Sequence, residues 1–273
     1  MLFELEAIGG PLARRIARRR GPPADLGGLT ALVGTPEAER ARAVWTQSAF
    51  SEYASAASFA AIASGLFAVG APIDLSAAAA DFVVDELVHA ELSATLAMAF
   101  GGAVALDVDL ERLVRPSEST SSLVRVAEAI VRTSCVGEAL TVALLRESRE
   151  HAGSPVVAEI IGRIARDEAE HAELGWTFLD WADERLSAED RRTLGVVAGE
   201  AIGSFAPLFT KECAGPSELG VLACDVYDEV FVAALHDRVV TPLGERGVVI
   251  DASAVDLIER LAKQGRPKPL TAS

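Results

Sequence analysis

Two short stretches share the pattern Asp-Glu-x-x-His: Val84-Asp85-Glu86-Leu87-Val88-His89 and Arg166-Asp167-Glu168-Ala169-Glu170-His171. On an α-helix, residues three apart lie on one face, so Glu86 with His89, and Glu168 with His171, can each grip a metal ion. Each grip needs a further carboxylate. Glu52 and Glu138 are the candidates, because each interrupts an apolar helical run, in Ala49-Phe50-Ser51-Glu52-Tyr53-Ala54 and in Cys135-Val136-Gly137-Glu138-Ala139-Leu140. An unpaired carboxylate buried in such a run costs several kcal/mol, and metal coordination removes that cost. Oxygen-rich ligands with one imidazole per metal and no thiolate suit iron or manganese better than a closed structural zinc site. Asp85 and Asp167, one residue before each motif glutamate, are placed to accept a hydrogen bond from the non-ligating nitrogen of a histidine on the partner helix, fixing its tautomer and orientation.

Four long helices must position these residues. Thr35-Pro36-Glu37 combines an N-cap hydroxyl, a proline at the first helical position and an acid in the first turn, so the first long helix runs from Pro36 to about Val69. Gly70-Ala71-Pro72 turns the chain, and a second helix starts near Asp74 or Ser76 and runs to Phe100 before Gly101-Gly102. The next twenty or so residues, about 101 to 120, read as a long connection able to cross a whole bundle. A third helix spans Ser121 or Ser122 to Ala152, and Ser154-Pro155 opens a fourth that lasts to about Leu186. Register agrees with the ligand set. Glu138 lies fifteen residues before Gly153 and Glu168 fifteen after it, which places both ~22 Å from the turn. Glu52 lies nineteen before Ala71, with Glu86 and His89 fifteen and eighteen after it.

The ordered set Glu52, Glu86-x-x-His89, Glu138, Glu168-x-x-His171, with short, long and short connections, resembles the ferritin-like di-iron carboxylate proteins. In these, two helices each give one Glu and the other two each give Glu-x-x-His. The resemblance covers about residues 36 to 186. It implies an all-α fold, a ferritin-like four-helix bundle with a long crossover between helices two and three. It also implies two iron ions, with manganese or a mixed Mn/Fe pair as variants, and catalytic duty for the six ligands. Asp-Glu-x-x-His in both halves is similar to soluble di-iron oxygenases such as the aldehyde-deformylating oxygenases. The function so implied is a di-iron oxidoreductase that activates dioxygen to oxidise a small, mainly apolar organic substrate, drawing electrons from an external donor such as a ferredoxin. Arylamine N-oxygenases of this superfamily carry a third histidine where this chain has Ile164, so it departs from them. Two other readings stay open: a ferroxidase or rubrerythrin-like peroxide scavenger, and a non-catalytic metal-binding bundle.

The remaining sequence bounds these readings. With 273 residues, half of them hydrophobic, the chain can bury a substantial core, and a net charge of −15 disfavours nucleic acid and anionic membranes as partners. Arg14, Arg15, Arg18, Arg19 and Arg20 form a basic cluster within the N-terminal arm and linker, residues 1–34, read as a solvated arm. Cys135, Cys213 and Cys224 form no Cys-x-x-Cys pair, which excludes a rubredoxin-type iron site and fits a reducing compartment; with no signal-peptide layout, a cytoplasmic location is expected. Tyr53 to Ile73 carries no charge, but its Ala, Ser and Gly content and the adjacent Glu52 indicate a buried bundle helix rather than a membrane span. Beyond the bundle, residues 187–273 read as C-terminal helices packed on it: one from Ser187 as far as Cys213, one from Leu222 to Val240 stopping at Thr241-Pro242, and one over Ala252 to Lys263. Oligomeric state stays open, with a homodimer as one option.

Overall fold

The computed structural model describes residues 1–22, 24–210 and 217–266. Two short helices, α1 (Gly10–Arg20) and α2 (Gly27–Thr30), precede the long ones. Helix α3 (Pro36–Ala68) begins as its sequence dictates, with the Thr35 hydroxyl accepting from the Ala38 N–H at 3.2 Å and Pro36 in the first turn. The chain reverses at Gly70, whose φ of 62° suits glycine, while the Ala71 N–H returns to the Leu66 carbonyl at 3.0 Å. Helix α4 (Ile73–Ala99) then packs along α3.

The crossover to the third helix contains one 3₁₀ turn, Leu110–Arg112, and is tied down by the first residues of the chain. Leu2 bridges Asp107, the Phe3 N–H donates to the Leu106 carbonyl at 2.9 Å, and the Val108 N–H donates to the Met1 carbonyl at 2.8 Å. The third helix is not uniform. An α segment, α5 (Ser122–Ile130), passes through a π segment (Val131–Glu138) into α6 (Ala139–His151). Helix α7 (Pro155–Trp181) packs against α6, the π segment and α4, and it ends earlier than the Leu186 expected, giving way to a 3₁₀ turn at Asp183–Arg185.

The C-terminal helices depart more from expectation. Helix α8 (Ala188–Gly203) opens on a Ser187/Asp190 capping box but stops ten residues short of Cys213, and a 3₁₀ turn, Ala206–Phe209, takes up Pro207. Cys213 lies outside the described residues. Helix α9 (Cys224–Ala234) does not stop at Thr241-Pro242; it widens into a π segment (Leu235–Val240) and continues as α10 (Thr241–Glu245). A proline ring clashes with the carbonyl four residues back in an α-helix, and the wider π turn removes that clash. Helix α11 (Ala252–Gln264) closes the described chain. Cys224 is disulfide-bonded, so the cysteines do not support the expected reducing compartment. Helix α8 contacts the π segment and α5, α9 contacts α6, and α11 contacts α8 and α9.

Two apolar clusters hold the helices together. One gathers Phe59, Leu66, Phe82, Ile130, Leu140 and Phe178 with Leu194, Phe231 and Ile258 from α8, α9 and α11. The other joins Trp45, Val88, Leu96, Phe100, Ile161 and Ile164 at the opposite end of the bundle. Along α3, α4 and α7 the change from one cluster to the other falls at Glu52, at Glu86 and His89, and at Glu168 and His171. A polar layer thus sits between two apolar blocks. Among the described residues no helix is long and apolar enough to cross a membrane; Tyr53 to Ile73 supplies α3 and its turn instead.

Candidate metal centre

Each long helix brings its acid to the same layer. Glu86, His89, Glu168 and His171 have no exposed surface, Glu138 is 5% exposed, and the Glu52 side chain is 13% exposed. The spacing of three turns the two side chains of each motif onto one helical face, as read from the sequence. His89 and His171 both direct Nδ1 inward, toward the same two carboxylates. His89 Nδ1 lies 3.1 Å from Glu168 Oε1 and 3.7 Å from Glu86 Oε2. His171 Nδ1 lies 2.8 Å from Glu168 Oε2 and 3.0 Å from Glu86 Oε1. Glu86 and Glu168 therefore stand between the imidazoles, whose ring centres are 5.8 Å apart. Glu52 completes one side, with Oε2 4.0 Å from His89 Nδ1, and Glu52, Glu86, His89 and Glu168 offer ligand atoms all within 4.8 Å of one another.

Glu138 enters from the third helix on the side of His171. Its carboxyl accepts from the Ser55 hydroxyl at 3.5 Å, and it feels the charges of Glu168 and Glu86 before that of His171. It is the last residue of the π segment, and π turns widen a helix and re-aim its side chains, which is why they concentrate at functional sites. Gly175, one turn beyond His171, lets this segment approach α7. A Cβ there would stand 2.6 Å from Cys135 Sγ and 2.9 Å from Ser134 Cβ.

The electrostatics of the layer follow from crowding acids where water cannot reach. Burial, and then repulsion from Glu168 and Glu86, pushes the carboxyls of Glu52 and Glu138 well above the usual range. Burial pulls His171 down, but Asp85, Glu168 and Glu86 outweigh it and raise its pKa to about 12. His89 is raised well above its ordinary value against the same desolvation, by Asp167, Glu168 and Glu86. Glu168 is held below the ordinary range, because the two imidazoles overcome its burial.

The outward nitrogens differ. His89 Nε2 is 3.1 Å from Asp167 Oδ2, the cross-helix bond expected from the sequence. His171 Nε2 is 3.9 Å from Asp85 Oδ2, beyond hydrogen-bond range, and has no hydrogen-bond partner. Asp85 is taken instead by Arg19, which donates from Nε to Oδ1 at 3.0 Å and from Nη2 to Oδ2 at 2.9 Å. Burial raises the Asp85 carboxyl, and the nearby positive charges of His171 and Arg19 more than reverse this. The arginine cluster is thus not simply a solvated arm: Arg19 also holds Asp81, and Arg20 pairs with Glu91 at 3.0 Å. Ser55 was legible in principle, standing three residues from Glu52 on one face of α3. Arg19 carried no such signal.

The donor set fits a pair of hard or borderline cations. Both oxygens of Glu86 are buried and make no well-aligned hydrogen bond, although His171 Nδ1 stands 3.0 Å from one of them, and the two imidazole nitrogens are aimed at the same pair of carboxylates, Glu86 and Glu168. Glu52, Glu86, His89 and Glu168 could hold a metal ion, and His171 and Glu138 stand beside them on the far side of Glu86 and Glu168. Phe59 and Phe82 wall the His171 side, with Phe82 4.2 Å and Phe59 5.1 Å from the imidazole centre. Elsewhere, His151 Nδ1 lies 3.1 Å from the Glu147 carbonyl at a helix end, and His236 pairs with Glu259 at 2.8 Å.

No protein-family model and no curated protein sequence matches the chain. Among solved structures it is similar to a protein from Synechococcus described as protein 19 with aldehyde deformylating oxidase activity. The match covers 85% of this chain and 98% of that one, with a TM-score of 0.50 and 17% sequence identity. At that identity the likeness concerns the fold, which is helical and ferritin-like.

Proposed function

We propose that this chain is a di-iron oxidoreductase that uses dioxygen to oxidise a small, mainly apolar organic substrate. The observation that carries the reading is the inward turn of His89 Nδ1 and His171 Nδ1 onto the same two carboxylates, Glu86 and Glu168, inside an otherwise apolar bundle. The ferritin-like fold and the activity named for the Synechococcus protein support it. When bound, two adjacent redox-active metal ions supply electrons that reduce dioxygen. Everything else belongs to the protein. Glu86 and Glu168 hold the two positions together, Glu52 and Glu138 close the outer sides, and Asp167 fixes the His89 ring through Nε2. Phe59 and Phe82 keep water from one face of the layer, which protects reactive species and leaves an apolar surface for an organic substrate.

The test begins with metal. Protein produced with ample iron is expected to hold about two ions per chain by elemental analysis, and Glu86→Ala or Glu138→Ala to hold fewer. Chemically reduced protein should then take up dioxygen in amounts matched to bound iron, with further uptake only when reductant and an organic substrate are supplied. Absence of bound metal would leave a non-catalytic helical bundle. Sustained oxidation of added ferrous iron, indifferent to every organic compound, would make the protein a ferroxidase instead.

A further inference from the structure

The two halves of the polar layer repeat one pattern, yet they are finished differently on the outside. Asp167 serves the histidine of the opposite motif at 3.1 Å, while its counterpart Asp85 stands 3.9 Å from His171 and leaves that Nε2 buried without a hydrogen bond. The cause is Arg19. Its guanidinium takes both oxygens of Asp85, at 3.0 and 2.9 Å, and both oxygens of Asp81, at 2.9 and 2.8 Å. Charge-assisted bonds in this forked geometry are among the stronger polar contacts available to a side chain. Arg19 is itself fixed in place. Arg163 of α7 donates to the carbonyls of Arg19 and Arg20, and Arg20 pairs with Glu91 of α4. Helix α1 thereby straps the two helices that carry the Glu-x-x-His motifs.

We propose that Arg19 is a positioning residue that makes the two metal positions unequal, by drawing Asp85 away from His171; the inference rests on the di-metal reading above. A metal-bound imidazole is a better donor when its other N–H is held by a carboxylate, and loss of such a partner costs about 10–100-fold in affinity. His89 has that partner and His171 lacks it. The position formed by Glu138 and His171 is therefore the weaker one. Removal of the guanidinium leaves Asp85 under 1 Å of travel from hydrogen-bond range of His171 Nε2, a shift a side-chain rotation supplies.

Titration of metal-free protein with cobalt(II) alone, followed by its visible absorption, tests this without turnover. The wild type is expected to fill in two steps separated by about 10–100-fold. Arg19→Gln should tighten the weaker step and bring the two together. Arg19→Lys, which keeps the charge but not the fork, should fall between. Arg163→Gln removes the bonds to the Arg19 and Arg20 carbonyls but leaves the Arg19 guanidinium in place, and should shift the steps in the same direction, which guards against misfolding of one variant. Two cobalt ions bound in a single step by the wild type, or two steps unchanged in a folded Arg19→Gln, would overturn the inference and leave the di-metal reading standing. Fewer than two cobalt ions in the wild type would remove that reading and the inference with it.

Discussion

At the scale of single residues, the centre is a set of buried acids whose cost demands an explanation, and each acid has a distinct neighbour that supplies part of one. Asp167 gives the clearest local case. Its side chain is 31% exposed and its bond to His89 Nε2 is the polar contact that joins it to the layer. Asp167→Asn keeps the shape but removes the negative charge that makes His89 a good donor, so metal affinity at the His89 position should fall by about 10–100-fold. The metal-free variant should also melt lower than the wild type, because Asp167 leads the groups that raise the buried His89 imidazole and so supports the protonated ring. A cobalt titration beside a thermal melt separates the two effects. A variant with unchanged affinity would show that Asp167 acts only as a surface acid.

At the scale of helices, what the sequence conveyed and what it hid divide along physical lines. Glu52, Glu86, Glu138 and Glu168 were legible because a charged residue in an apolar helical run is an anomaly, and the spacing of three to a histidine gives it a direction. Helix starts at Thr35 and Ser187 were legible because capping is local chemistry. The π segment at Val131–Glu138 was not, since inserting a wider turn into a helix with Val131, Ser134, Cys135 and Val136 all buried leaves no break in apolar periodicity. Nor was the docking of α1, because the pairing of Arg19 with Asp85 spans 66 residues and depends on tertiary packing alone. The π segment yields a test of its own. Gly175→Ala places a methyl group against Cys135 Sγ and Ser134 Cβ, so it should destabilise the fold by about 1–3 kcal/mol and displace Glu138. Thermal melting reads the first effect and metal content the second. An unperturbed variant on both counts would mean that the π segment gives way without cost.

At the scale of the whole molecule, the metal-free and the metal-loaded polar layer respond to pH in opposite directions. Without metal, the raised carboxyls of Glu52 and Glu138 contribute stability below their unfolded range and lose it as pH rises through their folded values. His89 and His171 behave alike in sign: their support is complete below about 6.5 and declines as pH climbs toward their raised folded values. Glu168 is held low, so it is ionised in both folded and unfolded chains between pH 5 and 8 and adds no slope there. Metal-free protein should therefore lose melting temperature as pH goes from about 5 to 8. Metal binding takes up neutral imidazoles and ionised carboxylates, releases protons, and grows stronger over the same interval. The gap in melting temperature between metal-loaded and metal-free protein should accordingly widen from pH 5 to pH 8, with the loaded form always the higher. Calorimetry at four or five pH values, with the metal concentration fixed, measures that gap directly. A gap that stays constant or narrows would place the binding energy elsewhere than in these four glutamates and two histidines.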